Sequence, residues 1–325
     1  MAATPAVQTL RRRVEDGGVL SCPGVAASAQ PFLAAALRGL FPGRPLLVVT
    51  PGLKAQERFH QDLQTWLEPA AESAQPAPGP LFYPAWEFLP HEGRLPHADV
   101  ISERLGTLVA LSQPATHPGH FPPLVVASVT ALLQRTFPAA HLRARLRPLC
   151  RGGRVDPLEM IEWLEEQGYE PEAQVSQKGE LALRGGILDV FPPTHPWPVR
   201  LEFVGNELES LREFDPQTQM SRGGLEQTVL APAGELGLLH RMMRPGGPGA
   251  EAPDAEPGPV PALATLLDYL PNDTVTVLCE AEALKEQADA YARQVPAGDP
   301  FFVAWEDLQA ALARRSMAVV EITET

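Results

Sequence analysis

The sequence predicts an α/β fold in which a parallel sheet is interrupted by a small inserted α+β domain, and three observations predict it. Apolar runs of strand length alternate with helix-period segments from residue 18 to 128. From Cys150 the runs shorten and are separated by Gly, Pro and Asn turns. From Leu263 the longer alternation returns. At 325 residues the chain also exceeds the usual size of one domain. The expected boundaries are 1–145 and 231–325 for the two parts of the sheet domain and 146–230 for the insert.

Taken in order, 18–22 reads as a short strand, 30–40 as a helix and 45–50 (PLLVVT) as a buried strand. Residues 54–67 follow with Leu53, Phe59, Leu63 and Trp66 at helical spacing. After a Pro/Ala/Gly-rich connector at 69–80, 81–83 (LFY) gives a strand, 99–111 a helix and 123–128 (PLVVAS) a further strand of the same sheet. In the insert, Asp156 stands before a proline at the first helical position, and Leu158, Ile161 and Leu164 form the apolar stripe of a helix ending at Gln167. Short strands follow at 180–183, 186–191, 199–204 and 207–214, a mainly antiparallel pattern. Residues 245–261 contain ten Pro or Gly in seventeen, too little apolar matter to offset ordering entropy, which predicts a flexible loop. The α/β style then resumes with 263–269, a strand at 274–278, a helix at 281–295 and a strand near 317–322.

Composition excludes several classes of function. A formal net charge of -14, with the excess acid concentrated beyond residue 140, opposes the counterion release that drives non-specific DNA binding, so strong DNA binding is not expected. Cys22, Cys150 and Cys279 are odd in number and far apart, which argues against a disulfide framework or a zinc cage and for a reducing, cytoplasmic setting. Arg11, Arg12 and Arg13 are not followed by a long apolar core, and no apolar run approaches the length of about 18 residues that a membrane span needs, so neither secretion nor a membrane partner is expected.

The turn after the first strand, Gly24 to Pro31 (GVAASAQP), has the length and position of a phosphate loop without its chemistry. A GxxxxGK[ST] loop works because glycines let backbone N–H groups wrap the phosphates, a lysine adds charge and a hydroxyl binds magnesium. Here Ala27 and Ala29 stand where glycines would, Gln30 replaces the lysine and Pro31 the hydroxyl residue. The alternative is an unrelated Ala-rich turn that precedes a helix. His91, Glu92, His97 and Asp99 share one segment, but on a Pro/Gly-rich loop they lack the fixed spacing of helical ligands, and no metal is expected. Arg143, Arg145, Arg147, Arg151 and Arg154 form a local basic cluster that reads as a solvated linker helix, with contact to nucleic acid or to an acidic partner face as the alternative. No nucleophile elbow or activated-cysteine motif is present, so no catalytic residues are assigned.

Residues 265–283 (TLLDYLPNDTVTVLCEAEA) closely resemble the stretch of the excision-repair protein UvrB that leads into its acidic magnesium-binding box. In this chain the strand ends in Cys279-Glu280, and the aspartate of the pair is gone. Residues 168–192 (GYEPEAQVSQKGELALRGGILDVFP) and 199–218 (VRLEFVGNELESLREFDPQT) look like the signature of UvrB's inserted second domain. Residues 83–108 (YPAWEFLPHEGRLPHADVISERLGTL) look more like the transcription-repair coupling factors, Mfd, whose N-terminal part is a degenerate UvrB. The resemblance spans roughly residues 15–325 and selects the N-terminal UvrB-homology module of that family over UvrB itself. It implies a degenerate P-loop helicase-like sheet domain with a UvrB-like insert and no cofactor. By the same resemblance the chain would be a non-catalytic recruitment module of transcription-coupled nucleotide excision repair that docks UvrA. Its further partners would be the translocase and RNA-polymerase-binding parts of a longer parent, which this sequence lacks. The other reading is a UvrB-like ATP-dependent repair enzyme or nucleotide sensor.

Strand alternation places Leu181 and Leu183 on one face and Arg184 on the other, and in 199–203 it leaves Arg200 and Glu202 facing outward. If the strands are neighbours, Arg184, Arg200 and Glu202 share one surface, and these three match charged residues of the UvrB surface they resemble. Gly185, next to Arg184, leaves room for close approach of a partner. Two further arginines of that surface would fall at Pro171 and Ala182. The competing expectation is an Arg200–Glu202 ion pair contributing about 0–1 kcal/mol.

Overall fold

The computed structural model of the chain describes residues 4–67, 79–113, 122–243 and 262–324. The Pro/Gly-rich stretch at 245–261 and most of the connector at 69–80 lie outside the described residues. The chain divides into two units: residues 1–91, 113–135 and 264–325, and residues 92–112 with 136–263. The first unit opens with β1 (Val19–Pro23), β2 (Leu46–Thr50), β3 (Leu81–Tyr83) and β4 (Leu124–Ser128). The second supplies β5 (Arg147–Cys150), β6 (Glu170–Pro171), β7 (Glu180–Arg184), β8 (Ile187–Val190), β9 (Val199–Val204), β10 (Glu207–Phe214), β11 (Ser221–Gly224) and β12 (Gln227–Leu230). The chain then returns to the first unit for β13 (Val275–Cys279) and β14 (Ala318–Thr323).

The first unit is a parallel sheet in the order β1-β14-β13-β2-β4-β3. Every residue of β2, β4 and β13 is buried, which is why those segments read as nearly unbroken apolar runs. On one face Val48, Val126 and Val277 share a core with Leu37 of helix Gln30–Leu40 and with Phe59 and Leu63 of helix Leu53–Leu67. Leu53 and Trp66, expected in the same stripe, are exposed. A helix at Pro5–Glu15, absent from the sequence reading, adds Val14 to this core. Residues expected as part of the last α/β segment, 263–269, form a short 3-10 turn at Leu266–Tyr269, and helix Trp305–Arg314 is an addition. The chain leaves after β4 and returns as β13, which pairs with the free edge of β2. An insertion at that point therefore leaves the sheet continuous.

The second unit carries a sheet in the order β11-β10-β9-β8-β7-β6, antiparallel except for the two-residue β6–β7 pair, while β5 and β12 form a separate antiparallel ribbon. Leu181, Leu188, Val190, Val199, Leu201 and Leu211 share one core with Met160 and Leu164 of helix Pro157–Glu166. Asp156 caps that helix as expected, its Oδ1 accepting from the N–H groups of Leu158 at 2.9 Å and Glu159 at 3.4 Å. Leu158 itself is 68% exposed, so the buried stripe is built on Met160 and Leu164 instead.

Helix Ala98–Ser112, expected in the sheet domain, belongs to the second unit, and so do residues 136–145 and 231–263. The second unit therefore takes in residues on both sides of the expected insert. The physical reason is a buried ion pair. Arg104 on that helix donates from Nε to Glu235 Oε2 at 2.7 Å and from Nη2 to Oε1 at 3.0 Å, and Thr136 Oγ1 donates to the same Oε1 at 2.7 Å. All three residues are buried. Ser102, two residues earlier, donates to the carbonyl of Pro193 and accepts from Lys178 Nζ at 2.6 Å. Helical periodicity reports that a face is buried, but not against which neighbour.

The arginine cluster is likewise not a linker helix. Arg143 lies in the short helix Ala139–Ala144, while Arg147 lies in β5 with its guanidinium over Trp163. Arg151 pairs with Glu226, and burial lowers the pKa of Arg145 beside Phe137. Among the described residues no helix is long and apolar enough to cross a membrane.

Replacing Glu235 with alanine removes the buried carboxylate that accepts from both Arg104 and Thr136. The expected loss is about 3–5 kcal/mol of unfolding free energy in urea titrations, against about 1 kcal/mol for Thr136→Val. Equal losses for the two variants would contradict this account of the second unit.

Candidate functional site

The face of the second unit's sheet opposite helix Pro157–Glu166 is polar. Its register aligns Ala182, Asp189, Arg200 and Arg212 in one row across β7 to β10, and Arg184, Ile187, Glu202 and Ser210 in the next. Arg184, Arg200 and Glu202 thus share a face as expected, although β8 lies between β7 and β9. The residue that brings the two arginines together, Asp189, is absent from the sequence-derived set. Its side chain is 1% exposed, and both oxygens are engaged. Arg200 donates from Nε to Oδ1 at 2.7 Å and from Nη2 to Oδ2 at 2.8 Å, while Arg184 Nη2 donates to Oδ2 at 3.0 Å. This is a side-on bidentate Arg–carboxylate pair with a second cation on the shared oxygen. Hydrogen bonding to Asp189 raises the pKa of Arg200 above its ordinary value. A lone aspartate inside the apolar run Ile187-Leu188-Asp189-Val190 was the available signal.

Gln219 is the second residue that sequence reasoning missed. It sits at φ +59° in the turn after β10, a left-handed conformation that side-chain-bearing residues seldom adopt. Its Oε1 accepts from Nη2 of both Arg184 and Arg200 at 3.3 Å, and its backbone carbonyl accepts from Arg200 Nη1 at 3.4 Å. The turn is closed by Asp215, whose carboxyl is held below its usual range by the N–H groups of Thr218 and Gln217. The ring of Phe214 lies 4.4 Å beneath the Arg200 guanidinium.

The remaining expectations sort differently. The Arg200–Glu202 ion pair is not formed, because Arg200 is committed to Asp189 and Glu202 pairs with Arg212. Gly185 occupies the two-residue turn between β7 and β8 at φ +62°. A Cβ on Gly186 would come within 3.1 Å of the Phe203 carbonyl oxygen, so the close approach at this turn includes the chain's own β9. Ala182 is buried, Pro171 is exposed, and Leu183 does not share the burial of Leu181.

The first unit contains Gly24 to Pro31 and the Cys279-Glu280 pair, the segments read above against a phosphate loop and an acidic box. Because β1, β14 and β13 are parallel neighbours, their carboxyl ends lie along one edge of the sheet, the usual ligand edge of such folds. Gly24 turns the chain at φ +78°, Ala27–Ala29 form one 3-10 turn, and Gln30 and Pro31 begin the helix, both buried. Gln30 Nε2 donates to Glu280 Oε1 at 2.5 Å and to the Val25 carbonyl at 3.3 Å. Glu280, after β13 at φ +59°, also accepts from the backbone N–H of Glu324 at 3.0 Å. The two altered motifs are therefore bonded to each other. Burial raises the pKa of the Cys279 thiol, and beside it the Glu280 charge does the same. Among the described residues no group of three or more His, Cys, Asp or Glu is arranged to hold a metal. His91 lies 3.8 Å from Asp299, and His97 3.5 Å from Asp99.

A small antiparallel sheet with an arginine-bearing face, set into the sequence of a parallel α/β sheet, defines a UvrB-like module, and residues 148–236 match the UvrB interaction domain family. The match runs past residue 230 and takes in Glu235. The chain is 36% identical over 222 residues, 68% of its length, to the transcription-repair-coupling factor of Myxococcus xanthus. It is 30% identical over 192 residues, 59% of its length, to that of Escherichia coli K12, and 31% over 297 residues, 81% of its length, to that of Mycobacterium bovis. It belongs to the transcription-repair-coupling factor family, of whose members it covers 18%, 15% and 23% respectively.

Asp189→Asn removes the charge on which Arg184 and Arg200 converge. Its cost in chemical denaturation is expected at about 1.5–3 kcal/mol, the scale of hydrogen bonds to a charged group. An unchanged unfolding midpoint would show that the two arginines need no common anchor.

Proposed function

We propose that the chain is a non-catalytic recruitment module of transcription-coupled nucleotide excision repair, docking UvrA through the polar face of its inserted domain. Arg184, Arg200 and Glu202 form the charged part of that surface, and Gly185 lets the partner approach at the adjoining turn. The observation that carries the reading is the buried Asp189 carboxylate, which gathers two arginines of a net-acidic chain on one face. A basic spot in an acidic protein favours an acidic partner surface, and an ordered arginine at an interface typically contributes 2 kcal/mol or more. The UvrB interaction domain match over the same residues supports it.

The non-catalytic part of the reading rests on the first unit. Phosphoryl transfer needs charge at the developing oxygens and a bound magnesium. Gln30 and Pro31 supply neither ammonium nor hydroxyl, and Gln30 and Glu280 are bonded to each other where such a loop would meet its acidic partner. As a member of a longer family this module would act beside translocase and RNA-polymerase-binding parts. Its own charge disfavours strong DNA binding.

Two measurements test the proposal. In calorimetry against UvrA, Arg184→Glu is expected to weaken binding at least about 30-fold at a temperature where circular dichroism shows the variant folded, its unfolding midpoint being lowered by the like charge set beside Asp189. Parent-like affinity in the charge reversal rejects this surface. Titration with Mg-ATP is expected to give no heat of binding at micromolar nucleotide, and a one-to-one isotherm would overturn the non-catalytic reading.

A further inference from the structure

Arg184 and Arg200 are held by the same two groups but are used differently. Arg200 is 16% exposed in its side chain and has every guanidinium nitrogen engaged, Nε and Nη2 on Asp189 and Nη1 on the carbonyl of Gln219. Arg184 is 48% exposed and is tied by Nη2 alone, to Asp189 and to the Gln219 side chain. Its Nε and Nη1 have no partner among the described residues. A free surface arginine samples many rotamers and loses that freedom on binding. Arg184 has lost part of it already, while its Nε and Nη1 donors stay unused.

Gln219 is what completes this arrangement. Its Oε1 meets Nη2 of both arginines, while its Nε2 donates to the carbonyls of Pro216 at 2.8 Å and Val175 at 3.3 Å. The amide is thereby fixed in the orientation that presents oxygen to the arginines. The residue keeps this position in a left-handed backbone conformation that glycine or asparagine would adopt more easily. A strained conformation retained for a side chain that contacts two arginines points to a role for that side chain.

Resting on the docking role proposed above, we infer that Asp189 and Gln219 are positioning residues of the interface. They hold Arg184 in advance with its Nε and Nη1 donors open to a carboxylate, an aspartate or glutamate side chain, on the partner. Neither residue needs to touch the partner. Their contribution is to lower the ordering cost of the arginine that does.

The test uses the full chain and reads the free protein and the complex separately. In the free protein, 15Nε relaxation is expected to show an ordered Arg184 guanidinium in the parent chain. A mobile guanidinium is expected in Gln219→Gly, which removes the side chain and relieves the backbone strain, so that folding is not at risk. An Arg184 that is mobile in the parent chain overturns the inference, whatever UvrA does. In the complex, Gln219→Gly is expected to weaken UvrA binding about three- to tenfold, and this loss should vanish when Arg184 is already alanine. A loss that persists in the Arg184→Ala background identifies a merely structural effect and rejects positioning, as does unchanged affinity in Gln219→Gly alone. Failure of the parent chain itself to bind UvrA removes the docking proposal, a result distinct from parent binding that Gln219 does not influence.

Discussion

The polar face of the inserted domain is organised by a single buried negative charge. Asp189 stands in β8, with β9 and β7 on its two sides, and each of those strands sends an arginine to it. A carboxylate that is 1% exposed cannot be left without countercharge, so the position of Asp189 dictates where Arg200 and Arg184 must go. Everything else on that face is arranged around the result. Phe214 supports the Arg200 guanidinium from below, Gln219 bridges both arginines from the turn after β10, and Arg212, left without access to Asp189, takes Glu202.

A second buried charge explains which segments make up the unit that carries this face. Arg104 and Glu235 are separated by 131 residues and meet with no exposure to solvent. The stretch 92–112 therefore folds with the inserted unit, although the chain passes through the parallel sheet both before and after it. The strength of such a pair lies less in its net stabilisation than in the penalty for separating it, which makes it a selector of partners. Thr136 joins this pair, and Ser102 makes separate bonds to Lys178 and Pro193, so that helix Ala98–Ser112 is bound to the unit by polar contacts along its first two turns.

The parallel sheet shows the opposite outcome for its polar groups. At the carboxyl edge of β1, β14 and β13, Gln30 and Glu280 satisfy one another, and the terminal segment adds the N–H of Glu324. Groups that would bind a phosphate must be left open until the ligand arrives, at a cost in stability. Here Glu280 Oε1 accepts from both Gln30 Nε2 and the N–H of Glu324. The same chain thus holds one polar surface whose main arginine retains unused donors and one sheet edge where Gln30 is bonded to Glu280.

The fold class and most strands were legible because burial imposes a pattern on consecutive residues. β2, β4 and β13 are apolar throughout because both faces of a parallel sheet are covered, and β9 alternates because one face is not. The Asp156 cap was also readable, since it depends on residues adjacent in the chain. Tertiary structure alone decided what depends on residues far apart. The sequence marks Arg184, Arg200 and Glu202 as outward-facing, but alternation cannot say that β8 lies between β7 and β9, or that an aspartate there would claim two arginines and leave Glu202 to Arg212. It shows a helix at 99–111 and cannot say that Glu235 is its counterpart. Periodicity encodes the face a residue takes, whereas the partner across that face is set by strand order and chain return, which no local spacing records.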